Sequence, residues 1–245
     1  MTVTTLRRIT GDEKHSPSAH STLDVLRVLY DRVLRITPET VDEPDRDRFF
    51  LSKGHGPAAY YAVLAEKGFI PEDWLDDLGG WDSPLGHHPD RVLIPGVEAG
   101  TGSLGHGLGL AIGTALGLRA QGFVETRTFV LLGDAELDEG SNHEGIAYAA
   151  AIRLPITAIV IDNQSATHGW PDGWSGAPTW TGEDPQLAAK TSQPRAGLSA
   201  GVAARFPGWT VSLVDGHDHD EIEAGLWART GHPHLVVATV EKKEH

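Results

Sequence analysis

TFVLLGDAELDEGSNHEGIAYAAAIRLPITAIVIDN, Thr128 to Asn163, holds two short apolar runs separated by a stretch of helical length. TFVLL and ITAIVI are continuous, not alternating, as strands buried on both faces of a parallel sheet are. Glu139 to Arg153 between them has an alanine-rich face, so the unit reads as β-α-β. A right-handed crossover then lays both strands parallel, with their carboxyl ends on one edge of the sheet. Ligands of open parallel sheets bind beyond that edge. Asp134, directly after Gly133, and Asn163, directly after Asp162, stand at the two strand ends and are expected to converge there. A carboxylate and an amide oxygen suit Mg2+ or Ca2+, with waters and phosphate oxygens completing the shell. Two such ligands are too few to cage a structural ion, so a phosphorylated cofactor is implied.

The acids between Asp134 and Glu144 admit other readings. An EF-hand loop would match Asp134, Glu136 and Asp138 at alternate positions. It would also need glycine where Glu139 stands and glutamate where Gly145 stands, and it fails on both. Asp138 and Glu139 can simply open a helix, stabilised by its positive amino-terminal end. Glu136 and Asp138 read as local helix-start charges of that kind.

Outward from this unit, LVVATV (Leu235 to Val240) reads as a further strand after a helix near His219 to Thr230. A first amphipathic helix is predicted from the capping signal at Ser21, with Leu23, Leu26, Val33 and Leu34 at helical spacing up to Thr37-Pro38. A second spans Pro57 to Lys67, closed by Gly68, and 85–102 reads as a long functional loop. Gly105, Gly109, Gly113 and Gly117 fall four apart, which on a helix makes a bare face against which something should pack closely. The segment 169–194, with three Trp and four Pro, reads as a surface loop. Neither a linker nor a repeat is evident, so 1–245 is read as a single α/β domain, a parallel sheet flanked by helices.

A formal charge of −14 without a basic cluster argues against nucleic acid and anionic membranes as partners. The absence of cysteine removes thiolate chemistry, and MTVTTLRRIT lacks the apolar core of a signal peptide, so a cytoplasmic location is expected. SLGHGLGLAIGTALGLRAQG is broken by glycines and a histidine, as a buried helix and not a membrane span would be. GTGSLG at Gly100 to Gly105 fits the dinucleotide fingerprint literally, yet it follows no strand and has no acidic partner about 20 residues on.

GDAELDEGSNHEG followed by IDNQ, with Asn163 29 positions after Asp134, resembles the Gly-Asp-Gly…Asn motif of thiamine-diphosphate enzymes. The surrounding blocks KHSPSAHSTLDVLRVLY, DRDRFFLSKGHGPAAYY, SPLGHHPDRVLIPGVEAGTGSLGHGLGLAIG and VDGHDHDEIE resemble the amino-terminal, diphosphate-binding domain of transketolase. That resemblance implies the thiamine-diphosphate-binding fold, with Asp134, Asn163 and the carbonyl of Ser165 holding a divalent ion. Gly133 and Ala135 would flank the diphosphate; the family usually has glycine at the position of Ala135. Gly102, Ser103 and Leu104 would hold the aminopyrimidine ring. His15, His55 and His88 fall at active-site positions, His55 also against the cofactor, and imidazoles can bond substrate hydroxyls and exchange protons near neutral pH. Glu139 and Glu144 match acids buried at the family's dimer interface. His20, His87, His143 and His217 are left as structural or supporting groups, and His106 stands where the family often has Gln.

The family's catalytic glutamate lies on a pyrimidine-binding domain, and the resemblance finds no counterpart of it in this chain, which ends VATVEKKEH. The resemblance therefore implies a split enzyme, expected as α2β2, in which a separate carboxyl-terminal transketolase-like subunit supplies that glutamate. The expected activity is transfer of a two-carbon ketol unit from a sugar ketose to an acceptor. Processing of a 2-oxo acid, or loading of a two-carbon unit onto a carrier thiol, is the alternative within the same cofactor class. A non-catalytic cofactor-binding module is the alternative from another class.

Overall fold

The structure, a computed structural model, describes residues 9–10, 16–163, 201–228 and 231–241. His15, Ser165 and the segment 169–194 lie outside them. Five strands form one sheet in the order β1-β2-β3-β5-β4. They are β1 (Arg48–Leu51), β2 (Thr128–Gly133), β3 (Thr157–Asp162), β4 (Thr210–Asp215) and β5 (His234–Thr239). Every pairing is parallel. The β2-α-β3 unit expected at the centre is therefore present, with α4 (Gly140–Ala151) as its crossover helix.

Strand alternation distributes the core. Phe129, Leu131, Ile159, Ile161 and Val236 point to the face covered by α1 (Ser16–Val28), α2 (Pro57–Glu66) and α5 (His219–Leu226). Val130, Leu132, Ala158, Val160 and Val237 point to the opposite face, covered by α3 (Gly107–Ala120) and α4. Because β2 and β3 are buried on both sides, their sequences run apolar without alternation. β4 is the contrasting case: it lies at the sheet edge with Val211 40% and Leu213 54% exposed, and its mixed sequence TVSLVD carries no strand signal. β1 carries none either, being four residues set between charged and glycine-rich neighbours.

Helix boundaries shift modestly from expectation. α1 begins at Ser16, five positions before the capping signal at Ser21, and continues into a π-helical turn, Leu29–Val33. α2 is buried along nearly its whole length, as expected for a helix without a polar face. The glycine series is corrected. Gly105 precedes α3 in a left-handed turn (φ +79°), and Cβ atoms placed on Gly109, Gly113 or Gly117 would meet nothing within 4 Å. The bare face exists, but none of the described residues packs against it.

At the amino-terminal edge of the sheet the fully buried Asp47 ties β1 to β2. It accepts from the backbone and side chain of Arg127 at 2.9 and 3.0 Å and of Arg35 at 3.0 Å each. Burial alone would raise this carboxyl; the two guanidiniums overcome it and hold it below the usual aspartate range. Among the described residues, no helix is long and apolar enough to cross a membrane.

Candidate active site

The opposite, carboxyl-terminal edge gathers the residues singled out in the sequence. β2 and β3 pair with Gly133 opposite Ile161, so Asp134 and Asn163 leave neighbouring strands at nearly the same level. Both are buried, Asp134 completely. Asp134 Oδ1 accepts from its neighbour's amide, Ala135 N, at 2.8 Å, opening the 3-10 turn Ala135–Asp138. Asn163 donates through Nδ2 to Ser21 Oγ on α1 at 3.5 Å, while its Oδ1 is buried with no hydrogen-bond partner among the described residues. A buried carbonyl oxygen left so costs about 1–3 kcal/mol unless a cation or donor meets it. An oxygen held bare beside a buried carboxylate fits one edge of a Mg2+ or Ca2+ shell. Among the described residues no three His, Cys, Asp or Glu side chains cluster as a metal site.

Around this pair three loops meet. The turn after β1 carries Lys53, Gly54 and His55; buried Lys53 donates through Nζ to the His55 carbonyl at 2.8 Å and runs beside Gly133, where an added Cβ would stand 3.4 Å from its Cγ. Gly54 abuts the expected pyrimidine loop, an added Cβ lying 3.2 Å from Leu104 Cδ2 and 3.7 Å from the Gly102 carbonyl. Gly102 has φ +118°, and a Cβ there would be 2.7 Å from Cγ of the His88 ring. No side chain but hydrogen fits both the conformation and the contact. The structure thus brings His55, His88, Gly102 and Leu104 into one neighbourhood. Ser103, exposed, lines a cavity of about 170 Å3 with Ser52, Thr101 and His106.

Glu139 caps the start of α4 by position only, without a side-chain cap bond, and lies against Gly105, whose added Cβ would be 2.6 Å from Glu139 Cβ. Glu144 sits one and a half turns on; both are exposed on this chain. Asp138 ends the 3-10 turn just ahead of α4, a helix-start position, and there pairs with Arg205 at 2.8 Å.

Glu136 is the residue that sequence reasoning placed wrongly. It is 1% exposed. Oε1 accepts from the Ser52 hydroxyl and from Gly105 N at 2.9 Å, and Oε2 from Gly133 N at 3.2 Å. Its backbone carbonyl accepts from Asn142 Nδ2 at 2.7 Å. Burial pushes its carboxyl above the usual glutamate range; the three donors pull the other way, and the charge of Glu139 adds to the upward push. Only its place three residues beyond a buried strand end hints at an inward side chain.

A second polar cluster lies further along the same edge. His217, after β4, bonds Asp24 of α1 at 2.9 Å and Glu241 beyond β5 at 2.5 Å, and His219 bonds the other Asp24 oxygen at 3.0 Å. Asp24 and then Glu241 raise His217 above the usual histidine range against a smaller opposing effect of burial. Asp24, despite burial, is held below the usual aspartate range by the two histidines. This cluster fastens α1, and with it Ser21, to the strand ends.

Comparison with known proteins identifies the family. The family described as transketolase, thiamine diphosphate binding domain, matches residues 9–176. The protein named ferredoxin fas2 of Rhodococcoides fascians is 47% identical over 242 residues, covering 97% of this chain and 70% of its own. One subunit of the apulose-4-phosphate transketolase of Actinobacillus succinogenes is 44% identical over 148 residues, 60% of this chain and 53% of that protein. The crystal structure of Campylobacter jejuni transketolase superposes with TM-score 0.70 at 25% identity over 96% of this chain and 36% of that one. The chain therefore spans about half the length of the apulose-4-phosphate transketolase relative and about a third of the solved transketolase. By sequence and by fold, this chain belongs to the transketolase family, as its thiamine-diphosphate-binding domain.

Proposed function

We propose that this chain is the diphosphate- and metal-holding half of a two-subunit transketolase that moves a two-carbon ketol unit from a ketose to an acceptor. The observation that carries the reading is the buried Asn163 Oδ1, without a hydrogen-bond partner among the described residues, with buried Asp134 at the carboxyl ends of β2 and β3. Asp134 and Asn163, with the Ser165 carbonyl, would hold Mg2+ or Ca2+. Gly133 and Ala135 would lie along the diphosphate, Lys53 keeping the wall beside Gly133 closed. Gly102, Ser103 and Leu104 would seat the aminopyrimidine. Thiamine diphosphate held by these residues would supply a nucleophilic carbon for cleaving and forming the carbon–carbon bond beside a ketone.

For this chain's own residues, the neighbouring His55 and His88, with His15, would bond the sugar hydroxyls and take or return their protons. The exposed Glu139 and Glu144 are assigned to an interface with another subunit. The relatives named as single subunits of apulose-4-phosphate transketolases support a separate partner, to which we assign the pyrimidine-binding domain and the glutamate that activates the cofactor, in an α2β2 assembly.

The test is exchange of the cofactor's C2 proton with deuterium, followed by NMR with Mg2+ present. With this chain alone the rate should stay near that of the free cofactor. Adding the pyrimidine-binding subunit should raise it by about a hundredfold or more, the usual worth of a positioned acid–base group. Fast exchange with this chain alone would overturn the split assignment.

A further inference from the structure

Three segments that approach the proposed cofactor from different directions converge on one side chain that has no role in the reading above. Ser52 follows β1, Gly105 ends the loop expected to seat the aminopyrimidine, and Gly133 is the turn expected to face the diphosphate. All three donate to the carboxyl of Glu136, which is 1% exposed and sits on the 3-10 turn opened by Asp134. Ser52 Oγ also accepts from Gly107 N at 3.1 Å, the first residue of α3, so the same cluster reaches the start of that helix. Ser141 Oγ donates to the Gly105 carbonyl at 2.7 Å and secures the other side of that residue. Asn142 holds the Glu136 carbonyl from α4. A buried, charge-capable acceptor with several donors is a rigid connector, because release of any one donor leaves a desolvated group unpaired.

We infer that Glu136 is a positioning residue that fixes the Gly102–Gly105 loop relative to the Gly133–Asp134 turn, so that one side chain sets the distance between the seats of the cofactor's two ends. Its bearing on the cofactor rests on the function proposed above; the coupling of the two loops does not. Gly105 has φ +79° and Gly102 φ +118°, conformations that a loop tethered at Gly105 N retains and a released loop would exchange for others. Glutamine at this position keeps one oxygen for the paired donors Ser52 and Gly105 but presents an amide N–H to Gly133 N–H, so it breaks one tether and spares the other. Alanine breaks both.

The experiment has two readouts, the first on this chain alone and the second with the proposed pyrimidine-binding subunit present. The first is amide hydrogen exchange without cofactor. In Glu136→Gln, exchange at Gly133 should rise roughly tenfold, the loss of about one hydrogen bond, with Gly105 changing far less. In Glu136→Ala both should rise, while amides in the centre of β3 stay as in the wild type. The second readout is the Kd of the folded protein for thiamine diphosphate with Mg2+, which should weaken by roughly tenfold in Glu136→Gln and further in Glu136→Ala. Should the alanine variant not fold, the glutamine variant carries both readouts. Uniform exchange across the sheet, or a lowered melting temperature with unchanged Kd, would reduce Glu136 to a structural residue and overturn the inference. If the wild type binds no thiamine diphosphate with the pyrimidine-binding subunit present, the functional reading falls, and site-selective exchange still decides the loop coupling.

Discussion

Asn163 differs from most buried polar side chains in that truncating it removes a group left unsatisfied among the described residues. Asn163→Ala loses the long Nδ2 bond to Ser21 but also relieves the bare Oδ1. Its stability is therefore expected to stay within about 1 kcal/mol of wild type by urea denaturation, where an ordinary buried truncation costs more. Metal-supported thiamine diphosphate binding should weaken by about a hundredfold by calorimetry, and a large stability loss with unchanged affinity would make Asn163 structural. Asp134 and Asn163 are legible in the sequence because each directly ends a continuous apolar run. Glu136 is not, because what draws it inward lies 84 residues away at Ser52 and 31 away at Gly105. A carboxylate among other carboxylates carries no local mark of such partners.

Among the elements, α3 and α1 show how helices hold the edge in place. The open face at Gly109, Gly113 and Gly117 means that Gly113→Ala meets no steric cost among the described residues. It should raise the stability of the isolated chain by about 0.5–1 kcal/mol through helix propensity, read as a higher urea midpoint. A lower midpoint would mean that something in this chain covers the face. α1 is pinned differently, by His217 bridging Asp24 and Glu241, with His219 on Asp24 and Asp215 bonding the His217 amide. A histidine raised in the folded state stabilises below its unfolded pKa, and that contribution fades as pH rises through the folded value. Asp24 and Glu241, lowered on folding, contribute above their unfolded values and lose that contribution as pH falls through the folded ones. The melting temperature should therefore decline as pH passes upward beyond the ordinary histidine range, and His217→Gln should flatten that slope. An identical slope in the variant would remove His217 from the cause. Among strands, β2, β3 and β5 are legible from their apolar runs. The edge strand β4 is not, because half its side chains face outward, nor is the four-residue β1.

Over the whole molecule the two edges of the sheet divide the work. The amino-terminal edge is closed by Asp47 with Arg35 and Arg127, and removing one partner of a buried ion cluster costs about 3–5 kcal/mol. Asp47→Ala should lower the unfolding free energy from urea denaturation by that amount while leaving the cofactor Kd of the folded fraction unchanged. A shift in Kd as well would show that the edges are coupled. The carboxyl-terminal edge holds the candidate site, assembled from the turns after β1, β2 and β3 and the loop 100–105. The glycine face of α3 meets none of the described residues, and Glu139 and Glu144 are exposed.

The proposed shared site stands or falls on the ion proposed at Asp134 and Asn163. The most direct measurement is calorimetric titration of thiamine diphosphate into the chain with its pyrimidine-binding subunit present, with Mg2+, with chelator, and with Asp134→Ala. Saturable binding with Mg2+ that chelator and Asp134→Ala both abolish is the expected result. Equal affinity in all three titrations would contradict it.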